Sequence, residues 1–377
     1  MSSKYLSFYL KTGGGHLSPA RAVAKHLEKE NAGKIEAILS DGLENGNKIV
    51  KYLIEDGYRI SQNKATWIFE SLYAINKIKF LAKQTARIVS WFVKNQLEKM
   101  ILENNPEKIV IFHFFLIRPV FEILKKHKLN IPVITVVTDP YTAHPIWFLN
   151  KGQKYIVFSE QLKQSCIQKG MNASDFNVFP FVLDEKFGTV VSDENKKSIQ
   201  QKLGLEPSKK LILILGGADG IPHGKRMLRT IMKSGFDAQT AIVCGRNKVL
   251  YEYATKLKLE HNLTNLTVYG FIDFVYELLQ VSDVVISKCG ASTFMEILMA
   301  QKIPVINNYI WEQEKGNVDF IRQNNMGMYE KKISRLPGLI HQLISDHTII
   351  QQLNRNISRA GLSNGTPQVS SFIQSFC

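Results

Sequence analysis

The run Val284-Val285-Ile286-Ser287-Lys288-Cys289-Gly290-Ala291-Ser292-Thr293-Phe294-Met295-Glu296 reads as a buried strand, a glycine turn and the first turn of a helix. Gly290 permits a tight turn or a close ligand approach, and Ser292 or Thr293 is placed to cap the helix. The amides and dipole of such a helix N-terminus favour an anion. Glu296 falls about one turn in, where a carboxylate accepts the two hydroxyls of a ribose. Downstream, Ile303-Pro304-Val305-Ile306-Asn307 has the look of the next strand, followed by the polar cluster Trp311-Glu312-Gln313-Glu314-Lys315-Gly316-Asn317. A glycine turn before a helix is by itself equally a packing device. Joined at this spacing to Glu296 and to Gln313, Glu314 and Asn317, it points to a nucleotide-sugar site.

Working outward, the same strand-then-loop grammar recurs upstream. Leu211-Ile212-Leu213-Ile214-Leu215 runs into Gly216-Gly217-Ala218-Asp219-Gly220, and Gly216 and Gly217 resemble a pyrophosphate-facing turn without the dinucleotide spacing G-x-G-x-x-G. Thr240 to Gly245 and Leu266 to Ile272 are further strands, with backbone at Phe271 and Ile272 placed to read a base edge. In the first half, Tyr5 to Leu10 is a strand that ends in Gly13-Gly14-Gly15-His16-Leu17-Ser18-Pro19. Ser18 is the expected helix cap and Pro19 its first turn, with Ala20, Val23, Ala24 and Leu27 at helical spacing, which leaves His16 at the tip of a strand-to-helix loop. In an open parallel sheet such loops lie where ligands bind. A solvated surface histidine is the plainer alternative. Three glycines before it let a ligand reach both backbone and imidazole.

Ile109 to Phe114 and Ile131 to Val137 are near-continuous apolar runs of the kind found in buried parallel strands. The second leads into Thr138-Asp139-Pro140-Tyr141-Thr142-Ala143-His144-Pro145-Ile146-Trp147-Phe148, where Asp139 and His144 are acid/base candidates, with structural capping by Asp139 as the alternative. Tyr155 to Ser159 is a short strand followed by a helix to about Lys169. Asn177 to Asp184 reads as the last strand of a first domain, and the polar segment Ser192 to Gln201 begins a second. Val369, Phe372, Ile373 and Phe376 mark a short amphipathic helix that closes the chain.

From Asn63 to Met100 the pattern is helical, with Ile78, Leu81, Thr85, Ile88, Val89, Phe92, Leu97 and Met100 in phase and Trp67, Phe69, Phe80 and Trp91 adding aromatics. Between Ile75 and Ile101, six basic residues (Lys77, Lys79, Lys83, Arg87, Lys94, Lys99) face a single acid, Glu98. An ordinary solvated basic face accounts for this. So does a surface lying on anionic lipid with Lys77, Lys83, Arg87 and Lys94 at the headgroups and Trp91 at the boundary, the reading the aromatics favour.

At 377 residues the chain is long enough for two domains, each with its own core. No stretch of ~20 apolar residues could span a bilayer, and Met1-Ser2-Ser3 runs straight into Tyr5 to Leu10 without a signal-peptide pattern, so the cytosol is the expected location. Cys166, Cys244, Cys289 and Cys377 show no metal-ligand spacing, and no histidine-rich or acidic cluster offers a metal site. With 48 Lys and Arg against 33 Asp and Glu, a net charge of +15 attracts anionic surfaces. Nucleic acid is one candidate on charge alone, but no RNA-binding signature accompanies it.

Gly13-Gly14-Gly15-His16, Val136-Val137-Thr138-Asp139 with His144 to Phe148, and Gly290 to Glu296 with Gln313 to Asn317 resemble the diacylglycerol glycosyltransferases. These are monogalactosyldiacylglycerol synthase and the bacterial glucosyl equivalents, related to the N-acetylglucosaminyltransferase of lipid-linked peptidoglycan precursors. The resemblance implies an α/β chain of the GT-B fold, two Rossmann-like parallel-sheet domains facing a cleft. Residues 1–184 would form an acceptor and membrane-facing domain, 185–360 a UDP-sugar domain, and 361–377 a helix returning to the first. It places Phe271 and Ile272 at uracil, Glu296 at ribose, Ala291 to Thr293 at the diphosphate, and Gln313, Glu314 and Asn317 at the hexose or its neighbouring diphosphate; Gly290, Gly216 and Gly217 join the donor-binding candidates from the glycine turns themselves. Gly14, Gly15, His144 and Trp147 are candidates for acceptor or phosphate binding. Two departures stand out: Leu17 where arginine often follows the histidine, and Ala291-Ser292 where plant members have Pro-Gly.

The implied reaction is inverting transfer of glucose or galactose from a UDP-sugar, a substrate rather than a cofactor, to diacylglycerol on the cytosolic face of the membrane. It involves no metal and no nucleic acid. A lipid hydroxyl needs a base, and Asp139 is favoured for that task, with His16 alternatively orienting the acceptor or stabilising the leaving phosphate. The alternatives are N-acetylglucosamine transfer to another lipid-linked acceptor, or a soluble UDP-sugar epimerase.

Overall fold

The computed structural model describes residues 2–12, 14–44, 51–52, 57, 71, 74–150, 152–189, 191–310 and 312–377. Gly13, Trp67, Phe69, Trp311, the side chain of Lys79 and most of the expected helix between 63 and 73 lie outside the described residues. The chain divides into two compact units. One comprises Met1–Asp184, Trp311–Gln313 and Asn364–Cys377, the other Glu185–Ile310 and Glu314–Ser363.

The first unit contains β1 (Ser3–Tyr9), α1 (Gly14–Glu30), β2 (Ile35–Asp41), α2 (Lys79–Asn104), β3 (Lys108–Ile111), α3 (Ile117–His127), β4 (Val133–Val136), β5 (Lys154–Val157), α4 (Glu160–Gln168) and β6 (Phe176–Val178). Its six strands pair in parallel in the order β2-β1-β3-β4-β5-β6. Helices on the sheet bury both strand faces. That is why Ile109, Val110 and Ile111 are all sealed in the core and why these strands read as apolar runs rather than alternating ones.

The second unit contains α5 (Asp193–Lys202), β7 (Leu211–Leu215), α6 (Gly224–Met232), β8 (Gln239–Val243), α7 (Lys248–Glu260), β9 (Leu266–Tyr269), α8 (Val275–Val281), β10 (Val284–Lys288), α9 (Ala291–Met299), β11 (Ile303–Asn308), α10 (Lys315–Gln323), β12 (Met328–Tyr329), α11 (Leu336–Ser345) and α12 (His347–Arg359). Its parallel order is β12-β11-β10-β7-β8-β9. Strand order reverses between β1 and β3 in one sheet and between β7 and β10 in the other. At such switch points adjacent loops leave in opposite directions, and the crevice beyond the carboxyl ends of the strands accepts a ligand.

The last helix, α13 (Thr366–Ser375), packs on α1 in the first unit with Val369 and Ile373 fully buried. Buried Lys108 closes its C-terminal end, donating to the carbonyls of Ile373 (3.2 Å), Gln374 (2.5 Å) and Phe376 (2.6 Å), a cation where the helix dipole is negative. The second unit runs to Ser363 rather than to residue 360. β2 carried no recognised signal in the sequence. The expected strand from Asn177 to Asp184 shortens to β6, three residues long, and the segment beyond it is pinned instead by side chains: Asn364 Oδ1 accepts from Leu183 N at 3.1 Å. No helix of the described residues is long and apolar enough to cross a membrane.

Candidate active site

At the first switch point α1 begins at Gly14, four residues earlier than Ser18 and Pro19 suggest, so His16 lies in the first helical turn and not on a loop tip. The turn points it inward and its ring is buried. Nδ1 sits 2.7 Å from the carbonyl of Phe112 and 2.8 Å from Oγ1 of Thr138. A carbonyl only accepts, so Nδ1 carries the proton and Nε2 keeps its lone pair. Burial brings the His16 pKa down to about 4 against the opposing Phe112 hydrogen bond, and the ring is neutral at pH 7. His113, two residues beyond β3 and noted in the sequence only as part of the apolar run Ile109 to Phe114, stacks obliquely on it with centroids 4.4 Å apart. Its Nδ1 accepts from Phe115 N at 3.2 Å, which leaves the proton on Nε2, and burial, then the neighbouring His16, hold its pKa well below the usual imidazole value. The signal that would have found His113 is topological: it follows the strand that forms the far side of the switch point.

Asp139 is also buried. Its Oδ2 accepts from Trp147 Nε1 at 3.0 Å, and its Oδ1 from Gln313 Nε2 at 3.1 Å. Gln313 is thus counted with the first unit, and its Nε2 is engaged by that unit's aspartate. Trp147, expected at the acceptor, is 0% exposed and acts through Asp139. His144 Nδ1 caps the short turn Pro145–Phe148 by accepting from Ile146 N at 3.0 Å, and so sets the tryptophan's position. Gly14 and Gly15 have nothing within 4 Å of where a Cβ would stand, so packing does not demand glycine there.

The second switch point is built mostly from backbone. A Cβ on Gly216 would meet Ile221 N at 2.2 Å, and Gly217 takes φ +77°, so the loop after β7 closes on itself as only glycine allows. A Cβ on Gly217 would stand 3.7 Å from Oγ1 of Thr293, in the loop after the neighbouring strand β10. Gly290 itself is the N-cap of α9 with no side-chain cap; neither Ser292 nor Thr293 takes that role, so the first amides have no intrahelical partner. Buried Ser292 Oγ and Asn317 Oδ1 have no hydrogen-bond partner among the described residues.

Asn317 Nδ2 donates to the Cys289 carbonyl at 2.9 Å, and Glu314 Oε2 accepts from Ile310 N at 2.6 Å. Burial raises the Glu314 pKa, opposed by the positive charge of Lys288 and by the Ile310 amide. Glu296 is half-buried on α9. Phe271 and Ile272 lie beyond the end of β9, and Phe271, 60% exposed, has the Arg246 guanidinium 4.8 Å above its ring. Among the described residues, no group of three or more His, Cys, Asp and Glu could hold a metal.

On α2 the inward face is Ala82, Ala86, Val89, Val93 and Leu97, so only part of the apolar stripe seen in the sequence turns outward. Phe80, Ile88 and Trp91, the last 75% exposed, form a second apolar face beside exposed Lys83 and Arg87. Two of the expected headgroup cations are engaged within the unit: Lys94 pairs with Glu122 at 3.6 Å and Lys77 with Glu312.

Residues 16–181 match the monogalactosyldiacylglycerol (MGDG) synthase family model and 211–364 the glycosyltransferase family 28 C-terminal domain. The processive diacylglycerol β-glucosyltransferase of Bacillus pumilus is 25% identical over 373 residues, 98% of this chain and 94% of that one. A probable chloroplastic monogalactosyldiacylglycerol synthase of Nicotiana tabacum is 23% identical over 356 residues, 90% of this chain and 64% of the plant protein's length. Among solved structures, Acinetobacter baumannii MurG superposes with TM-score 0.57 at 17% identity over 99% of this chain and 100% of that one. A putative UDP-N-acetylglucosamine 2-epimerase of Listeria monocytogenes gives 0.64 at 13% over 100% and 96%. At such identities these likenesses establish the fold, which is GT-B.

Proposed function

The chain belongs to glycosyltransferase family 28, with an MGDG-synthase-type N-terminal region, and from that premise we propose that it is an inverting UDP-hexose:diacylglycerol transferase working on a membrane surface. The observation that carries the reading is the pair of switch points, one lined by buried proton-handling side chains and the other by phosphate-type backbone. The match over 16–181 favours lipid glycosylation over the epimerase chemistry of the fold's other members.

A lipid hydroxyl is a poor nucleophile until its proton is taken, and a positioned base contributes roughly 10²–10⁴-fold. From sequence Asp139 is the favoured base. The hydrogen bonding favours the other candidate, His16, for that role: its Nδ1–H is anchored on Phe112, which leaves the Nε2 lone pair to accept, whereas both Asp139 oxygens already accept N–H donors. Asp139 then acts as the fixed anion of the cluster. In the second unit the diphosphate would sit on the open first turn of α9 and the Gly216-Gly217 loop, where amides offset the charge that grows as UDP leaves. Ser292 and Asn317 bring unspent polar atoms to that place. Glu296 would take the ribose, Phe271 with Ile272 the uracil, and Glu314 with Asn317 the hexose. One displacement inverts the α-linked donor to a β-linked product. No cofactor is invoked. The exposed Phe80, Ile88 and Trp91 with Lys83 and Arg87 would rest peripherally on the anionic cytosolic leaflet.

The test is transfer of labelled sugar from UDP-glucose, and separately UDP-galactose, into the organic phase with diacylglycerol in anionic liposomes. Labelled glycolipid is expected with one donor. Measurable UDP binding with no label from either would overturn the reading.

A further inference from the structure

Phe112 and His113, which directly follow β3, hold the His16 imidazole in two different ways. The Phe112 carbonyl accepts from its Nδ1–H at 2.7 Å, and the His113 ring packs against it with centroids 4.4 Å apart and planes inclined by 59°. Each nitrogen of His113 has its own situation. Nδ1 accepts from Phe115 N at 3.2 Å and so caps the short turn Phe114–Leu116 that leads into α3. Capping alone does not ask for histidine, because asparagine or aspartate supplies the same acceptor and is the commoner choice. What histidine adds is the second nitrogen. With Nδ1 accepting, the proton lies on Nε2, and that N–H has no hydrogen-bond partner among the described residues although His113 is 2% exposed. Donors withdrawn from water are nearly always paired, so an unpaired one calls for a reason. The ring is neutral, so it offers a hydrogen bond without a charge.

The two rings in contact are complementary: His16 Nε2 presents a lone pair and His113 Nε2 a proton. An alcohol oxygen has one proton to give and two lone pairs. We propose that His113 Nε2–H donates to the oxygen of the acceptor hydroxyl, engaging one lone pair while the hydroxyl's own proton points to His16 Nε2. The second lone pair is then the one left to attack. As it bonds to the anomeric carbon, the hydroxyl proton passes to His16 Nε2. The bond from that carbon to the phosphate oxygen breaks, and its electron pair departs on UDP. His113 keeps its proton throughout; its part is to fix the direction from which the oxygen attacks, a matter of orientation rather than of charge. The assignment rests on the transferase reading above with His16 as its base, and it makes His113 a second catalytic residue.

Two substitutions separate the two nitrogens. In His113→Asn, Oδ1 takes the place of Nδ1 and keeps the cap on Phe115 N, but nothing replaces the Nε2 donor. In His113→Gln, the amide nitrogen reaches the Nε2 position and the cap is lost. The whole chain is assayed with UDP-glucose and with UDP-galactose on vesicles carrying diacylglycerol, beside urea unfolding and UDP calorimetry. His113→Asn is expected to keep the parent's urea midpoint and UDP Kd and to lose about ten- to hundredfold in kcat, with KM for diacylglycerol within about threefold. His113→Gln should unfold at lower urea, yet turn over about fivefold or more faster than His113→Asn. The opposite order, with kcat following the urea midpoint, overturns the proposal and leaves His113 a capping residue. A kcat of His113→Asn within about threefold of the parent also overturns it, and decides the matter even if His113→Gln does not fold. So does a loss confined to KM, which would place His113 in binding and not in orienting the reacting oxygen. If the parent binds UDP but transfers neither sugar, the transferase reading falls and takes the proposal with it. If the parent transfers sugar and the variants rank the other way, the proposal falls alone.

Discussion

The two switch points are built from different parts of the chain. The first is lined by side chains: two neutral imidazoles in contact and a carboxylate held by an indole and an amide, all withdrawn from water. The second is built from backbone: glycines that let loops close on themselves and a helix start left without a side-chain cap. Proton transfer needs a lone pair of defined direction and basicity, which only a side chain locked by hydrogen bonds supplies. A diphosphate needs several weak donors at close range, which main-chain amides give without the desolvation cost of a buried cation.

The sharpest way to break this contrast is His16→Ala, expected to lower kcat by about 10²–10⁴ while UDP affinity stays the same. A kcat within threefold of the parent would remove His16 as the base. Next, Gly216→Ala places a methyl 2.2 Å from Ile221 N and should cost about 1–3 kcal/mol in loop distortion, seen as weaker UDP binding in calorimetry. If Glu296 takes the ribose as proposed, Glu296→Ala removes a charged acceptor worth about 1.5–3 kcal/mol, or roughly ten- to hundredfold in UDP Kd. An unchanged Kd would show that the ribose lies elsewhere.

The pH dependence sharpens the first half of the contrast. The His16 pKa is lowered from 6.5 to about 4, so the unfolded chain binds its proton first, and the stability that neutral His16 contributes is full above pH 6.5 and lost as pH falls toward 4. Between pH 7 and pH 5 the folded state should lose about 2 kcal/mol from this residue alone, read as a drop in urea midpoint that is smaller in His16→Gln. The smallest effect belongs to the membrane face: Lys83→Gln with Arg87→Gln should weaken binding to anionic vesicles by about 1 kcal/mol per charge and leave binding to neutral vesicles unaltered.

The backbone half was the more legible of the two from sequence. Gly216, Gly217 and Gly290 stand next to the strands they terminate, so the constraint that selects glycine is local. Even there the cap was misplaced, because Ser292 and Thr293 are capping residues by type and Gly290 holds the position. The side-chain half was only partly legible. His16 and Asp139 were named from their loops, yet the loop histidine is a buried helical one, and the hydrogen bonds of Trp147 and Gln313 to Asp139 were not foreseen. Similarly, the helical period of 79–104 was clear, but which apolar residues faced the core was not, since Val89 and Ile88 adjoin in sequence and point opposite ways.

Sequence by itself therefore determined the alternation of strands and helices, the glycine loops and the absence of metal-ligand spacing, all of which depend on residues within a few positions of one another. Strand order was decided only in three dimensions. It brought Phe112 and His113, 96 and 97 residues beyond His16, against the imidazole, fixed its tautomer and excluded the water that would have kept its basicity ordinary. Burial and hydrogen-bond partnership are properties of the packed sheet, and no local pattern of residues encodes them.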